Sequence, residues 1–321
     1  MNQLETTLEN WNWQQVLGPL HWLPIQVSIE FVEDHVFPPF AGAAFRGVFG
    51  HALRFLCCST FRQSCDHCAE IPDCAYHYVF ESPVPAELSH RPLFRGLRQG
   101  PQPFVLQPPL LERPEVRSWD AAEVGVVLLG NAVPLARQVV DAVAAMGLKG
   151  FFPNSGRFQI TKVTPEPWPL QANAVRTGSQ LLADAANLGN ISEATVRFLT
   201  PTLIQADGEL HQALPFQLIV RAMLRRMSMI LALHCGAPLE QMVQPLLDLA
   251  AHVRCIGGEI SPAHVRRHSN RQERGIEQEG IIGAARYAGP LTPFWPLLLV
   301  AREINIGKAS TFGWGRIALE V

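Results

Sequence analysis

No run of about 18 apolar residues free of charge occurs in the sequence, so no membrane-spanning helix is expected. The first residues, Met1 to Asn12, lack the basic start and apolar stretch of a secretory signal, being polar and acidic instead. A cytoplasmic protein is the expectation. An excess of positive charge is also missing. Lys and Arg number 26 against 28 Asp and Glu, a net charge of −2, which argues against a protein that coats nucleic acid through its overall charge. A local basic site stays open, because a cleft focuses its own field. The seven cysteines are an odd number without a signal peptide, so they do not read as a disulfide framework, and metal binding is the better reading of any cluster. The 26 prolines and 24 glycines are scattered and read as turns, not as a disordered tract. What is present is core material: 48% hydrophobic and 17% charged residues in 321, enough for one large domain or two of ordinary size.

Alternation predicts a first strand over Leu23 to Glu33, with Ile25, Val27, Ile29 and Phe31 on one face. A helix is expected over Gly42 to Leu56, then a cysteine-rich loop, a short strand around Tyr76 to Glu81, and an irregular proline-bearing excursion over 83 to 114. Val124 to Leu129 reads as a buried strand. Pro134 opens a helix through Met146 that Gly147 ends, and Phe158 to Val163 is the next strand. A connection over 166 to 190 holds a short helix, Gln180 to Asn187. The order then repeats: strand Ala194 to Ile204, helix Pro215 to Cys235, a strand pair within Val265 to Tyr287 turning near Gly275 to Gly280, a helix from Thr292 to Arg302, and a closing strand Ile317 to Val321. Two βαββαβ halves predict an α+β protein of two ferredoxin-like, RRM-like folds in tandem. The expected division is 1–165, a connection 166–190, and 191–321.

Before the last strand lies Gly307-Lys308-Ala309-Ser310-Thr311-Phe312-Gly313-Trp314-Gly315-Arg316. Glycines permit close backbone approach, and successive backbone N–H groups in such a turn can form an anion-binding nest. Lys308 and Arg316 add charge, Ser310 and Thr311 add hydroxyls, and Phe312 and Trp314 add flat faces. That mix suits a phosphate backbone with a nearby base; a tight turn with its aromatics in the core is the competing reading. A P-loop is excluded, since Arg302 stands where its first glycine would be and the segment follows a helix and enters a strand. A dinucleotide fingerprint fails for the same reason.

On a helical wheel of 42 to 56, Phe45, Val48, Phe49, Ala52, Leu53, Phe55 and Leu56 fall on one side, and Arg46, Gly47, Gly50, His51 and Arg54 on the other. Two helical glycines cost about 1 kcal/mol each, and on a surface they let something come close; the arginines beside them suit phosphates. Cys57 and Cys58 are followed by Cys65, Cys68 and Cys74. The set Cys58, Cys65, Cys68, Cys74 has the pattern of a closed structural zinc site, with Cys57 as an alternative to Cys58 and His67 as a substitute. Reduced buried thiols are the competing reading. Further on, His264 to Arg274 carries Arg266, Arg267, Arg271 and Arg274. In a strand, Arg266 and His268 share one face and Arg267, Ser269 and Arg271 the other. The run either grips RNA or is a solvated edge protected by charge.

The stretches Gly283-Ala284-Ala285-Arg286-Tyr287-Ala288-Gly289, Pro293 to Leu298 and Gly307 to Gly315, with Ser269, Arg271 and Gln272 upstream, closely resemble the C-terminal half of the CRISPR repeat-processing endoribonucleases of the RAMP superfamily. The block Gly42 to Glu81 is similar to that family too. The resemblance implies twin ferredoxin-like folds, binding of CRISPR repeat RNA, and one cut of precursor crRNA per repeat without a catalytic metal. It implies RNA contacts from the glycine loop and from the basic strand. It also implies a general base or acid on or near the first helix, which points to His51, with Arg46, Arg54 or Lys308 stabilising charge. His35, His264 and His268 are the rival histidines. Some members carry similar cysteines, and some hold crRNA within an effector complex without cutting it, which keeps other effector subunits open as partners.

Overall fold

The computed structural model describes residues 11–60, 65, 68, 71–151, 155–166, 174–204, 214–269 and 274–321, with the backbone alone for 72, 267–269 and 274–276. The architecture is mixed α+β, built on antiparallel sheets. The chain divides into two compact units. Residues 22–175 form one; residues 176–321, together with the chain up to His21, form the other. The division falls inside the stretch read as a connection.

In the first unit, strand β1 (His21–Phe31) leads into helix α1 (Gly42–Cys57), then strands β2 (Phe104–Gln107) and β3 (Ala121–Leu129), helix α2 (Ala136–Lys149) and strand β4 (Phe158–Thr164). The sheet order is β2-β3-β1-β4, with Ile25 opposite Val126 and Val27 opposite Val124. The alternation of β1 turns Leu23, Ile25, Val27, Ile29 and Phe31 into one core with Phe45, Phe49, Ala52 and Leu53 of α1 and Val139, Val143 and Met146 of α2. Each large side chain so buried stabilises the fold by about 1.5–3 kcal/mol. The second unit repeats the plan: β5 (Glu193–Thr202), α3 (Phe216–His234), β6 (Ile260–Ser269), β7 (Arg274–Ala288), α4 (Trp295–Ile304) and β8 (Ile317–Glu320), with sheet order β6-β7-β5-β8. Among the described residues no helix is long and apolar enough to cross a membrane.

Several expectations need correction. Tyr76 to Glu81 is not a strand: His77–Glu81 is a π-helical turn. The spacing of Tyr76 and Phe80 puts both rings on one side, where they stack 5.3 Å apart and Phe80 meets Phe49 at 5.7 Å. The excursion over 83 to 114 contains β2, whose Phe104, Val105 and Leu106 are buried. Pro134 lies in a 3-10 turn before α2, and α2 runs past Gly147 to end at Gly150. The β6–β7 strands pair all the way to Ser269 and Arg274, so Gly275 to Gly280 is strand, not loop.

Candidate functional site

Helix α1 carries the first candidate group. Its buried positions are Gly42, Phe45, Phe49, Ala52 and Leu53. Phe55 and Leu56 are not in the core as the wheel suggested: they are 72% and 46% exposed, although Cys57 after them packs against the core. Arg46 and Arg54 are both held. The Arg46 guanidinium lies over the Phe80 ring, 5.2 Å from its centre, and its Nη2 donates to Gln102 Oε1 at 3.2 Å. Gln102 in turn donates through Nε2 to the Phe80 carbonyl. Arg54 lies over Tyr76 at 5.5 Å. Gly50 is explained by this packing, since a Cβ there would come within 2.8 Å of the Phe80 ring; Gly47 faces open space.

His51 is exposed on the same helix. Partial loss of hydration holds its pKa below the usual imidazole range, and the nearby cations Lys149 and then Arg54 push it the same way. Lys149 ends α2, which packs along α1. The imidazole is therefore neutral at neutral pH and set among positive charge. His35 is engaged differently: Nδ1 lies 2.7 Å from Ser155 Oγ, and the ring packs against Phe37 and Phe151. Burial lowers its pKa. His264 is exposed, with Nδ1 3.5 Å from Glu279 Oε1. The side chain of His268 lies outside the described residues.

The cysteines gather at the end of α1. Cys58 follows the helix as its cap. The Thr60 hydroxyl sits between the Cys58 and Cys68 sulfurs, 3.9 and 3.7 Å away. Burial pushes the Cys57 and Cys65 thiols up, with Cys74 and Cys58 adding to the effect on both. All five are half-buried free thiols. Among the described residues no three Cys, His, Asp or Glu side chains are placed to share one ion, and His67 lies outside them.

In the second unit the glycine loop is knitted into the protein. Gly315 N donates to Pro201 O, Ile306 N to Gly315 O, and Lys308 N to Leu203 O. Thr200 Oγ1 donates to Gly313 O and accepts from Arg316 N, while buried Asn305 donates to Trp314 O. Phe312, Gly313 and Trp314 donate back within the loop. These N–H groups are committed to acceptors within the protein, and Trp314 is 1% exposed, in the core. Ser310, Thr311, Gly313 and Gly315 are also buried. The side chains left at the surface are Lys308, exposed, and Phe312 and Arg316, half-buried. Burial lowers the pKa of the Arg316 guanidinium.

The basic strand meets acids. Arg266 is exposed on β6 with Glu277 opposite, and Glu279 stands opposite His264, which offsets the charge of that face. The side chain of Arg267, and Arg271 altogether, lie outside the described residues. Sequence reasoning missed Lys149, Tyr76, Phe80 and Gln102, which reach the α1 face only through tertiary packing. The acids of β7 were within its reach through hairpin register.

Residues 20–187 match the N-terminal domain family AF_1859_N, and residues 196–317 match the family described as CRISPR-associated endoribonuclease Cas6. An "uncharacterized protein" of Archaeoglobus fulgidus is 22% identical over 193 residues, 60% of this chain, and the chain spans 60% of that relative's length. Among solved structures, a Cas6 product complex aligns with a TM-score of 0.55 over 93% of this chain and 100% of that one, at 18% identity. Thermus thermophilus Cas6 gives 0.53 over 93% and 99%, at 17% identity. A partial Cas6-RT-Cas1–Cas2 complex gives 0.60 over 94% of this chain and 46% of that one, at 10% identity. At these identities the structural likenesses speak for the fold. The chain thus belongs to the AF_1859_N family over residues 20–187, a little more than half its length, and carries a CRISPR-associated endoribonuclease Cas6 family domain over residues 196–317.

Proposed function

We propose that the protein is a cytoplasmic endoribonuclease that binds CRISPR repeat RNA and cuts precursor crRNA without a catalytic metal. The observation that carries this reading is His51, exposed on α1 with its pKa held down by lost hydration and by the cations Lys149 and Arg54. The ribose 2′-OH attacks the adjacent phosphorus as His51 takes its proton. The P–O5′ bond breaks, leaving a 2′,3′-cyclic phosphate, and the departing O5′ takes up a proton to become a 5′-OH. Arg46, Arg54 and Lys149 face the charge that develops on the phosphorane. Lys308, Phe312 and Arg316 hold the RNA elsewhere, as a platform and not as cutting groups. The shared strand order of the two sheets supports a reading of each unit as ferredoxin-like. Partners on this reading are the repeat RNA and other CRISPR effector subunits.

Incubation with the cognate repeat in EDTA is expected to give a single cut with cyclic-phosphate and 5′-OH ends. The same RNA, 2′-deoxy at the scissile nucleotide, should bind equally and stay whole. Binding of both with cleavage of neither would replace this reading with that of a non-catalytic RAMP subunit holding crRNA in an effector complex.

Within the same proposal, Cys58, Cys65, Cys68 and Cys74 hold a structural zinc that clips the end of α1 to the turn bearing Tyr76 and Phe80. The Cys58 and Cys68 sulfurs on either side of the Thr60 hydroxyl support it, and metal binding draws the four thiols into ligating distance. A closed thiolate site leaves no place for a reactive water. Elemental analysis of the purified protein should find zinc, and Cys65→Ser with Cys68→Ser should lose it and lower Tm. Zinc-free protein whose native thiols all react with a thiol reagent would remove the clip.

A further inference from the structure

We propose that Trp119 is a nucleobase platform on the first unit, stacking an unpaired base of the bound RNA. The proposal rests on the RNA-binding reading above and adds a contact apart from α1 and the glycine loop. Trp119 stands in the turn over 117–120 that leads into β3, and it is 73% exposed. Its φ is +76, in the left-handed region that suits glycine or asparagine and strains a bulky residue. Among the described residues no ring or cation lies against the indole.

The turn holds that strain in place. Trp119 N donates to Phe31 O at 2.7 Å, at the end of β1, and Phe31 N donates to Asp120 O at 3.0 Å. Ser118 N donates to Asp34 Oδ1 and Arg117 N to Asp120 Oδ2, both at 2.9 Å. Ser118 Oγ donates to Val32 O at 3.3 Å. The residues on both sides of Trp119 are therefore tied down, and the ring is carried into water from a fixed backbone. Glycine would make the same backbone bonds without strain, and so exposed a ring adds little to the core. A strained residue that the surrounding bonds over-determine, bearing a side chain the core does not use, points to binding.

Charge selects the occupant. The Asp34 and Asp120 carboxylates each accept a backbone N–H of the turn, and Arg113 Nη2 lies 3.4 Å from Asp120 Oδ2. Glu33, next to Val32, is clamped by Arg157 Nε and Nη2 at 3.1 and 2.9 Å. Arg117 is exposed and has no acid partner among the described residues. Of the charges within two residues of Trp119, the Arg117 guanidinium is thus the one left for a ligand. An open indole with such a cation two residues away matches a base and its phosphate in a single-stranded nucleic acid. A basic protein segment is the poorer match, since it would meet a like charge.

The test measures the affinity of the parent, Trp119→Gly, Trp119→Leu and Trp119→Phe for repeat RNA that is 2′-deoxy at the scissile nucleotide and so stays whole. Trp119→Gly and Trp119→Leu are expected to weaken binding by about 5- to 150-fold, the worth of one stacked base, and Trp119→Phe should keep most of it. Tm should hold or rise with Trp119→Gly, since glycine adopts a positive φ without strain; a fall would make the ring part of the fold and overturn the platform. In a set of RNAs each made abasic at one position, one should weaken the parent as Trp119→Leu does and add nothing to that variant's loss. Trp119→Leu should leave the slope of log affinity against log salt unchanged. Arg117→Ala should reduce that slope by about 0.7, one single-strand phosphate. An unchanged slope with Arg117→Ala, full additivity with every abasic RNA, or parental affinity of Trp119→Leu overturns the platform while leaving the RNA-binding reading intact, and the last result leaves the ring to a protein partner. A parent protein that binds no repeat RNA overturns both.

Discussion

His51→Ala is expected to slow repeat cleavage by about 10²- to 10⁴-fold, the usual worth of a positioned general base, while leaving repeat affinity within about twofold. Binding survives because phosphate contacts come from cations, not from a neutral imidazole. The pH profile gives a second, independent reading. A base must be neutral to take a proton, and lost hydration, Lys149 and Arg54 all lower the His51 pKa. A lowered pKa keeps the ring neutral to lower pH, so kcat/KM should rise with pH along an acid limb whose midpoint lies below about 6.5. Lys149→Ala removes one of the cations, so the midpoint should move up toward the ordinary imidazole value. A profile that instead falls as pH rises through that midpoint would make His51 the acid for O5′. Wild-type cutting by His51→Ala would place the base elsewhere, and His35 is then the half-buried rival, held by Ser155.

Much of this was legible in the sequence, and the failures share a cause. The period-two pattern of β1 was readable because one face is buried and the other wet along most of its length. The same rule misread Tyr76 to Glu81, whose alternating aromatics suit a strand equally well; only packing against α1, unseen in a single chain, selects the helical turn. The helical wheel placed Phe45, Phe49, Ala52 and Leu53 of α1 correctly in the core and failed at Phe55 and Leu56, which are exposed. Composition marked the glycine loop as unusual. It could not say that Trp314 points inward, since a tight turn and an RNA site use the same residues. The Phe80 ring over Gly50 and the Lys149 charge at His51 join positions far apart in sequence, and no local pattern announces them.

Gly315→Val is expected to be severely damaging to stability. Gly315 has φ +76, a left-handed conformation that costs a β-branched residue most. A Cβ there would also overlap the Ile306 carbonyl oxygen, and that oxygen belongs to a residue whose own N–H donates to Gly315 O at 2.8 Å. Relief requires opening the loop, which would strand the Gly315 N–H to Pro201 O bond and disturb buried Asn305 at Trp314 O. Strain plus a broken buried network predicts a loss of about 3 kcal/mol or more, read as a fall in the urea midpoint. Gly189→Ala separates the two causes. Gly189 has φ +70 but open space around its Cβ position, so only backbone strain applies, at about 1–2 kcal/mol. Gly315→Ala should then cost clearly more than Gly189→Ala, the surplus being the overlap with Ile306. Equal losses would mean that the loop yields easily and that its glycine is needed for φ alone. A surplus ties the loop's rigidity to the placement of Lys308, Phe312 and Arg316, the side chains it leaves at the surface.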